Sequence, residues 1–294
     1  MSEASLPSPS HALWHLGPAP LRGYALCVLA GILVALAVAS RRYRQAGGRP
    51  GLILDVATLA VPAGLLGARL YSIGTDWSQY FGHGQDWTGI FRLWDGGLGI
   101  PGAIAGGAAG AWLACWRAGV ALGPVAGAAA PGLAFGQAIG RWGNWFSQSL
   151  YGRPVSMPLA VEIAPAHRVR GYENFATFQP AFLYESAWDV LVGLAVIYAA
   201  RRFLLTGDRV FALYAGLYAI GGYLVESLRV DAAPHLAGLR FGQWVLAVVF
   251  LAAAGYLYLT RGKTGPDRLG PPQGPGGSRV GETAGSRPGL PAVS

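Results

Sequence analysis

Seven long runs of apolar residues, separated by shorter polar segments, dominate the amino-acid sequence. Crossing the hydrocarbon core of a bilayer takes about 20 residues of α-helix. A chain that spans lipid this way must satisfy its backbone hydrogen bonds within each helix. The pattern therefore predicts an all-α polytopic membrane protein with about seven transmembrane helices. The predicted spans are residues 23–40, 52–73, 96–116, 118–140, 181–200, 210–229 and 241–260.

The overall composition agrees with this class. The chain is 53% hydrophobic and only 12% charged, whereas a soluble domain carries about 25% charged residues. The net charge of +8 comes almost entirely from arginine, and arginines outside the spans are expected to face anionic lipid headgroups. No basic module interleaved with aromatic residues is present, so a nucleic-acid partner is not predicted.

Arginine placement predicts the orientation of the chain. Cytoplasmic loops of membrane proteins carry an excess of Lys and Arg. With seven spans, the basic groups near residues 41–49, 117, 201–209 and 261–263 fall on one side. We therefore expect that side to be cytoplasmic, with the N-terminus outside and the C-terminus inside a bacterial cell membrane.

Three regions follow from these assignments. Residues 1–21 are expected to form a short extracytoplasmic arm of irregular or interfacial structure. Residues 22–262 form the membrane domain, and within it residues 147–180 predict a small extracytoplasmic segment, extended or hairpin-like, between spans four and five. Residues 263–294 are rich in Gly and Pro, which predicts a disordered cytoplasmic tail.

Arg141 is the residue that most strongly suggests a functional site. It follows a run without charge from residue 118 to residue 140. An ionised side chain at membrane depth costs from about 2.5 to more than 10 kcal/mol, so it normally faces a polar cavity with an anionic partner. Gly140 and Gly143 leave room beside it, and Asn144 adds an amide one turn further on. This combination is typical of a phosphate-binding cradle.

Acidic residues near the ends of other spans are candidate partners. Glu185 and Asp189 lie four residues apart on one helical face. They are either surface acids near the interface or acids at membrane depth, and we expect Glu185 to pair with an arginine. Glu226 and Arg229 lie three apart and are expected to pair with each other. Asp95 precedes the glycine-rich third span, where it is either a helix N-cap or a base at the mouth of a cavity.

The glycines of the third span and the two cysteines have mainly structural interpretations. Gly102, Gly106 and Gly110 are spaced four apart, which predicts close packing against a second helix. Cys27 and Cys115 both lie in apolar runs and are expected to be packed thiols rather than a disulfide. No metal-ligand cluster, nucleotide loop or dinucleotide fingerprint is visible, so neither a metal nor a cofactor is predicted.

Residues 140–152 also resemble a known signature. They read G-R-W-G-N-W-F-S-Q-S-L-Y-G, which is similar to the G-R-x-G-N-[FW]-x-x-x-x-L-Y-G segment of the prolipoprotein diacylglyceryl transferases. Further segments resemble this family in the same order along the chain. They are residues 22–25, 67–71, 94–99, 179–185, 222–229 and 241–244.

The resemblance implies a bacterial membrane enzyme that moves diacylglyceryl from phosphatidylglycerol to the lipobox cysteine of a prolipoprotein, within a bilayer of membrane lipids. Because the prolipoprotein signal peptide supplies the thiol, the enzyme needs no cysteine of its own. The implied catalytic residues are Asp95, Tyr24, Glu226 and Arg229. The implied substrate-binding residues are Arg141, Asn144, Gly143, Gly97, Tyr184 and Glu185.

The chain departs from the family pattern at four polar positions. Asp95 and Gln179 stand where histidines are usual, Ser149 replaces a glutamate, and Gly222 replaces the first arginine of R-x-x-x-E-x-x-R. The alternative is therefore a non-catalytic lipid- or lipoprotein-binding relative that has lost part of the catalytic set. A small transporter is a third possibility, but it predicts internal repeats, which the sequence does not display.

Overall fold

A computed structural model describes residues 5–9, 11–16, 19–75, 77, 81, 88 and 99–262. Two predicted site residues, Asp95 and Gly97, lie outside the described residues, as does the tail from residue 263. Within the described ranges, seven long helices follow one another in the predicted order. They are α1 Gly23–Gln45, α2 Leu52–Thr75, α3 Ile100–Arg117, α4 Leu122–Ser147, α5 Ala181–Arg202, α6 Gly207–Glu226 and α7 Phe241–Leu259.

Five of these helices, α1, α2, α4, α5 and α7, are long and apolar enough to cross a membrane. Their lengths of 19 to 26 residues match the thickness of a bilayer core. Helices α3 and α6 are of similar length but fall outside that set. The chain is therefore a mostly helical protein of the membrane type, and a count of seven spans stays a prediction. The sixth span was predicted to reach residue 229, but α6 ends at Glu226.

Glycines bring two pairs of helices into direct backbone contact. A Cβ atom added at Gly102 would lie 2.1 Å from the carbonyl oxygen of Gly67 on α2, and one at Gly106 would lie 2.2 Å from that of Ala63. The close packing predicted from the spacing of Gly102, Gly106 and Gly110 is thus confirmed. Helices α1 and α4 meet in the same way, where a Cβ at Gly31 would lie 2.4 Å from the oxygen of Gly136.

Among the residues that the structure describes, three short antiparallel strand pairs lie outside the helices: one before α1, one between α4 and α5 and one between α6 and α7. The N-terminal arm, expected to be irregular, forms β1 Leu13–Leu16 and β2 Ala19–Arg22. The hairpin expected between spans four and five is confirmed as β3 Val161–Glu162 and β4 Thr177–Phe178. A third hairpin, β5 His235–Leu236 and β6 Leu239–Arg240, leads directly into α7.

A small apolar core of its own stabilises the segment after α4. Phe178 is fully buried, and Tyr151, Val161, Ile163 and Phe182 pack with it. The rings of Tyr151 and Phe178 lie 4.6 Å apart. Because Phe182 belongs to α5, this core holds the hairpin β3–β4 against the end of the helical bundle.

The two cysteines lie in apolar surroundings and are not bonded to each other. Cys115 is 1% exposed and belongs to the cluster formed by α1, α2, α3 and α4, while Cys27 is half-buried on α1. The expectation of packed thiols without a disulfide is confirmed.

Candidate functional site

Arg141 lies near the end of α4 and carries its charge into the interior of the bundle. Its Nη1 atom is 3.1 Å from Oε2 of Glu185 on α5, and its Nη2 donates to the hydroxyl of Tyr218 on α6 at 3.2 Å. The side chain of Arg141 is 22% exposed and that of Glu185 only 9%. The acidic partner expected from the sequence is therefore present, and three helices converge on one guanidinium.

A second polar layer lies one helical turn beyond Glu185. Asp189 is 2% exposed, and its Oδ2 atom has no hydrogen-bond partner among the described residues. On α6, the hydroxyl of Tyr214 donates to Oε1 of Gln137 on α4 at 2.8 Å. Arg141 and Glu185 thus belong to a polar cluster that continues toward the middle of an otherwise apolar bundle. The cluster contains two acidic side chains, Glu185 and Asp189, close to Arg141.

The two glycines beside Arg141 have different surroundings. At Gly140, no described atom beyond its two chain neighbours and the surrounding backbone of α4 lies within 4 Å of the position that a Cβ would take. At Gly143, a Cβ would lie 2.8 Å from the ring of Tyr24 on α1. Tyr24 is 48% exposed, and Asn144 is 6% exposed. Room for a ligand therefore lies on the Gly140 side, whereas Gly143 allows Tyr24 to approach α4.

The end of α4 is fixed by polar contacts to the segment that follows it. Gln148 adopts a left-handed conformation with φ of 50° and ends the helix. Its Oε1 accepts hydrogen bonds from the backbone N–H of Ala164 at 2.8 Å and from Oγ of Ser8 at 3.2 Å. The hydroxyls of Ser147 and Ser149 lie 2.7 Å apart. The contacts of Gln148 join residues 140–152 to the N-terminal arm and to the residues that follow β3.

A second ionic cluster lies where α6 ends and α7 begins. Nη1 of Arg229 donates to Glu226 at 2.8 Å, which confirms the predicted pair, although Arg229 lies beyond the helix. The Nε and Nη2 atoms of Arg229 donate to both carboxylate oxygens of Asp231 at 2.8 Å. Arg240 donates to Glu226 at 2.8 Å and to Asp231 at 3.0 Å. Two arginines and two acids thus form a closed network.

Asp231 titrates under opposing influences in this network. Burial raises the pKa of its carboxyl group, but the hydrogen bonds and charge of Arg229, together with the charge of Arg240, outweigh that effect and hold the pKa below its usual value. The carboxylate is therefore ionised at neutral pH. Because each of its partners is also charged and hydrogen-bonded, the cluster tolerates burial that an isolated charge would not.

The two clusters are close enough to influence each other. The charges of Arg229, Glu226 and Asp231 act on Glu185, which is itself paired with Arg141. Tyr184 is half-buried and precedes Glu185 at the start of α5. The structure thus brings most of the described predicted site residues to one end of the bundle, at the mouth of α4, α5 and α6.

Arg240, Tyr218 and Asp231 are site residues that the sequence analysis did not assign. Arg240 is 7% exposed, yet it lies in a loop predicted to face outward, where an excess of basic residues is not expected. A basic residue in an outward-facing loop is an exception to the charge rule, and this exception could have identified Arg240 from the sequence. Tyr218 carried no such signal, because it lies 77 residues from Arg141 in sequence.

Two of the departures from the family pattern occupy packed positions. The Oε1 atom of Gln179 is buried and accepts no hydrogen bond from the described residues. Its backbone carbonyl accepts the N–H of Gly152 at 3.0 Å. A Cβ at Gly222 would lie 3.2 Å from the side chain of Leu246, so this position faces α7. Gln179 and Gly222 therefore do not supply the chemistry of the histidine and the arginine that the family pattern has at these positions.

Together these features define a helical membrane protein whose interior holds an ionised arginine, paired with Glu185, near one end of the bundle. A family model for prolipoprotein diacylglyceryl transferase matches residues 11–259. The chain therefore belongs to the prolipoprotein diacylglyceryl transferase family.

Individual relatives agree with this assignment. The chain is 48% identical over 265 residues to phosphatidylglycerol–prolipoprotein diacylglyceryl transferase 1 of Streptomyces coelicolor, an alignment that covers 90% of this chain and 76% of that protein. It is 47% identical to the transferase of Streptomyces griseus, with 88% and 79% covered. It is 44% identical to that of Cutibacterium acnes, with 90% of each protein covered.

Proposed function

We propose that this protein transfers the diacylglyceryl group of phosphatidylglycerol to the lipobox cysteine of prolipoproteins. The products are a thioether-linked lipoprotein precursor and glycerol phosphate. The observation that carries this proposal is the position of Arg141, a guanidinium held inside the bundle by Glu185 and Tyr218 with room beside it at Gly140. The relatives that support it carry this activity in their names.

Arg141 fits the phosphate of the lipid headgroup. A guanidinium is always protonated and offers several N–H donors in one plane, which suits a phosphate. Two of its nitrogen atoms already contact Glu185 and Tyr218, so these side chains orient the group. Asn144 and Gly143 line the same turn of α4, and Tyr184 precedes Glu185 on α5. We assign these residues, with the undescribed Gly97, to substrate binding.

The reaction exchanges one bond at a glycerol carbon. The cysteine sulfur of the prolipoprotein forms a bond to the glycerol carbon of the diacylglyceryl group, and the bond from that carbon to the phosphate-ester oxygen breaks. The electron pair of that bond goes to the phosphate oxygen, where a nearby cation stabilises the charge. The thiol proton leaves to a base, for which Asp95 and Tyr24 are the candidates. Arg229, oriented by Glu226, is assigned to stabilise the charge on the departing glycerol phosphate.

The membrane arrangement follows from the helices and the arginines. All seven helices are proposed to span the bacterial cytoplasmic membrane, with the N-terminus outside and the C-terminus in the cytoplasm. The domain boundaries are an arm at residues 1–21, the membrane domain at 22–262 and the tail at 263–294. In this orientation the hairpin β3–β4 and the mouth of the site face outward, on the side where a translocated prolipoprotein presents its cysteine.

The second candidate function is a lipid- or lipoprotein-binding relative without catalysis. Gln179 favours it, because its buried Oε1 has no partner among the described residues where the family pattern has a histidine. Gly222 favours it as well, since the position faces Leu246 and carries no charge. Such a protein would keep phosphatidylglycerol on Arg141 but release no glycerol phosphate.

The deciding experiment uses purified full-length protein in liposomes that contain phosphatidylglycerol, together with a lipobox peptide. Release of glycerol phosphate is followed for the wild type, Arg141→Lys and Arg141→Ala. The transferase requires release that depends on the peptide cysteine, is weakened by Arg141→Lys and is abolished by Arg141→Ala. Arg153→Ala is the matched control, because Arg153 is exposed outside the helices.

Binding of phosphatidylglycerol is measured on the same preparations. Bound lipid without release, in a protein that stays folded, would support the binding relative and contradict the transferase. Loss of both binding and release only in the Arg141 variants would assign the phosphate to that guanidinium. Equal release by the Arg141→Ala variant would contradict its role.

A further inference from the structure

An extended segment at the N-terminus, residues 5–8, lies along the free edge of strand β3. The backbone N–H of Leu6 donates to the carbonyl oxygen of Ala160 at 2.8 Å, and the N–H of Glu162 donates to the carbonyl of Leu6 at 2.9 Å. Leu6 thereby forms a parallel bridge with Val161. On its other side β3 pairs with β4. Residues 5–8, the arm segment, therefore extend this sheet at the edge of β3 that β4 leaves free.

Side chains hold the arm segment in register. Leu6 packs against the apolar core around Phe178, while the hydroxyl of Ser8 donates to the carbonyl of Glu162 at 2.7 Å. The hydroxyl of Ser5 donates to a carboxylate oxygen of Glu162. This is the arrangement of strand addition, in which main-chain hydrogen bonds provide affinity and a pocket for an alternate side chain provides selectivity.

The arm segment also contacts the helix that carries the candidate site. Nε1 of Trp145 donates to the carbonyl of Pro7 at 3.2 Å, and Ser8 donates to Gln148. Trp145 lies in the last turn of α4, one turn after Arg141, and Gln148 caps the end of the helix. A peptide that lies on the edge of β3 therefore passes directly beside the mouth of the site.

The edge continues into a cavity of about 250 Å³. It is lined by backbone and side chains of Ser8, Glu162, Ala164, Arg168 and Thr177, among others. The lining contains the acid Glu162 and the base Arg168, and it includes Ser8, the last residue of the arm segment. A chain longer than the arm segment has space here for a further polar side chain.

We infer that the edge of β3 is a docking site for the extended segment of a prolipoprotein that follows its cysteine, and that the arm segment occupies this edge when no substrate is bound. The inference rests on the proposed function, because it takes the partner to be the substrate protein. A chain whose cysteine reaches the site leaves it outside the membrane, where the edge of β3, once the arm segment leaves it, is the surface that binds an extended segment.

Competition between the arm segment and the substrate has a measurable consequence. When only a fraction of the protein has a free edge, the apparent affinity for a ligand of that edge is reduced by the same fraction. Removing the arm segment therefore tightens binding of peptides that reach the edge. It leaves peptides that end at the cysteine unaffected.

The test compares full-length protein with a variant that lacks residues 1–9. One lipobox peptide ends at its cysteine, and a second continues for about eight residues, the length of a strand. For the long peptide we expect the variant to show a KM lower by about threefold or more at similar kcat. For the short peptide KM is expected to be the same in both proteins.

Leu6→Ser provides a version of the test without deletion. It weakens the packing of the arm segment and is expected to lower the KM of the long peptide in the same direction. Leu236→Ser is the matched control, because Leu236 is 58% exposed on β5, away from the edge. A synthetic peptide of residues 1–9, added to the deletion variant, is expected to raise the KM of the long peptide again.

Direct binding separates failure of the docking site from failure of the proposed function. A labelled peptide that contains only the eight residues after the cysteine is titrated by fluorescence anisotropy against both proteins. Tighter binding to the deletion variant supports the docking site even if neither lipobox peptide is turned over. Turnover of both lipobox peptides with no difference between the two proteins would retain the transferase and overturn the docking site, as would a higher KM after deletion.

Discussion

The guanidinium of Arg141 on α4 and the carboxylate of Glu185 on α5 lie 3.1 Å apart, with the Glu185 side chain only 9% exposed. Removing one partner of a buried pair leaves an uncompensated charge and costs about 3–5 kcal/mol. We therefore expect Glu185→Ala to lower the thermal midpoint strongly and to reduce glycerol phosphate release. Glu185→Gln keeps the shape of the side chain, so its thermal midpoint is expected to lie between those of Glu185→Ala and the wild type.

The exposed pair of Arg49 and Asp55 is the matched control. Its atoms lie 2.9 Å apart, closer than those of the buried pair, but both side chains are 64% exposed. Surface pairs contribute about 0–1 kcal/mol. Thermal melts in detergent should therefore show little change for Asp55→Ala. A loss as large as that of Glu185→Ala would mean that burial does not set the strength of the pair at Arg141.

The network around Asp231 predicts a dependence of stability on pH. Its pKa in the folded protein lies below the ordinary value, which is about 3.9 for aspartate. The folded state thus binds fewer protons than the unfolded state, and the stabilisation is complete above about pH 5 and declines as pH falls through 4. We expect Asp231→Asn to melt lower than the wild type at pH 7, and the difference in melting temperature to narrow as pH falls below about 4 toward the folded pKa. A gap that is constant or grows at low pH would contradict this assignment.

Helix contact through glycine predicts a sharp difference between neighbouring positions on α3. A Cβ at Gly102 would lie 2.1 Å from the backbone oxygen of Gly67, whereas at Gly107 the nearest atom is the oxygen of Ala60 at 3.7 Å. Overpacking costs about 1–3 kcal/mol. Gly102→Ala is expected to lower the melting temperature, while Gly107→Ala leaves it unchanged or raises it because alanine favours the helix. Equal effects at both positions would contradict the packing of α2 on α3.

Much of the architecture was predictable because it depends on local features. The apolar runs predicted the seven helices, and the four-residue spacing of Gly102, Gly106 and Gly110 predicted a close helix contact. The pair of Glu226 and Arg229 was also predictable, since the two residues are three apart. Each of these inferences needs only residues within a few helical turns.

The rest depends on contacts between distant parts of the chain. Tyr218 reaches Arg141 across 77 residues of sequence, and Leu6 reaches Val161 only because the bundle returns α4 to the N-terminus. Arg240 completes the second ionic cluster from the start of α7. No spacing rule connects such residues, so the shape of the site follows from packing and not from the signature segment alone.

Space at Gly140 leads to the prediction that bears most directly on the ligand. Beyond its two chain neighbours and the surrounding backbone of its own helix, no described atom lies within 4 Å of a Cβ at Gly140, and the same holds at Gly255 on α7. The Cβ of Gly140→Leu would enter open space next to Arg141, so we expect a normal melting temperature with weaker phosphatidylglycerol binding and slower glycerol phosphate release. Gly255→Leu, the same change in similar open space, is expected to affect neither. If Gly140→Leu retains full lipid binding and release, the headgroup lies on another side of Arg141. In that case the region where Gly143 contacts Tyr24 would be the next candidate position for the headgroup.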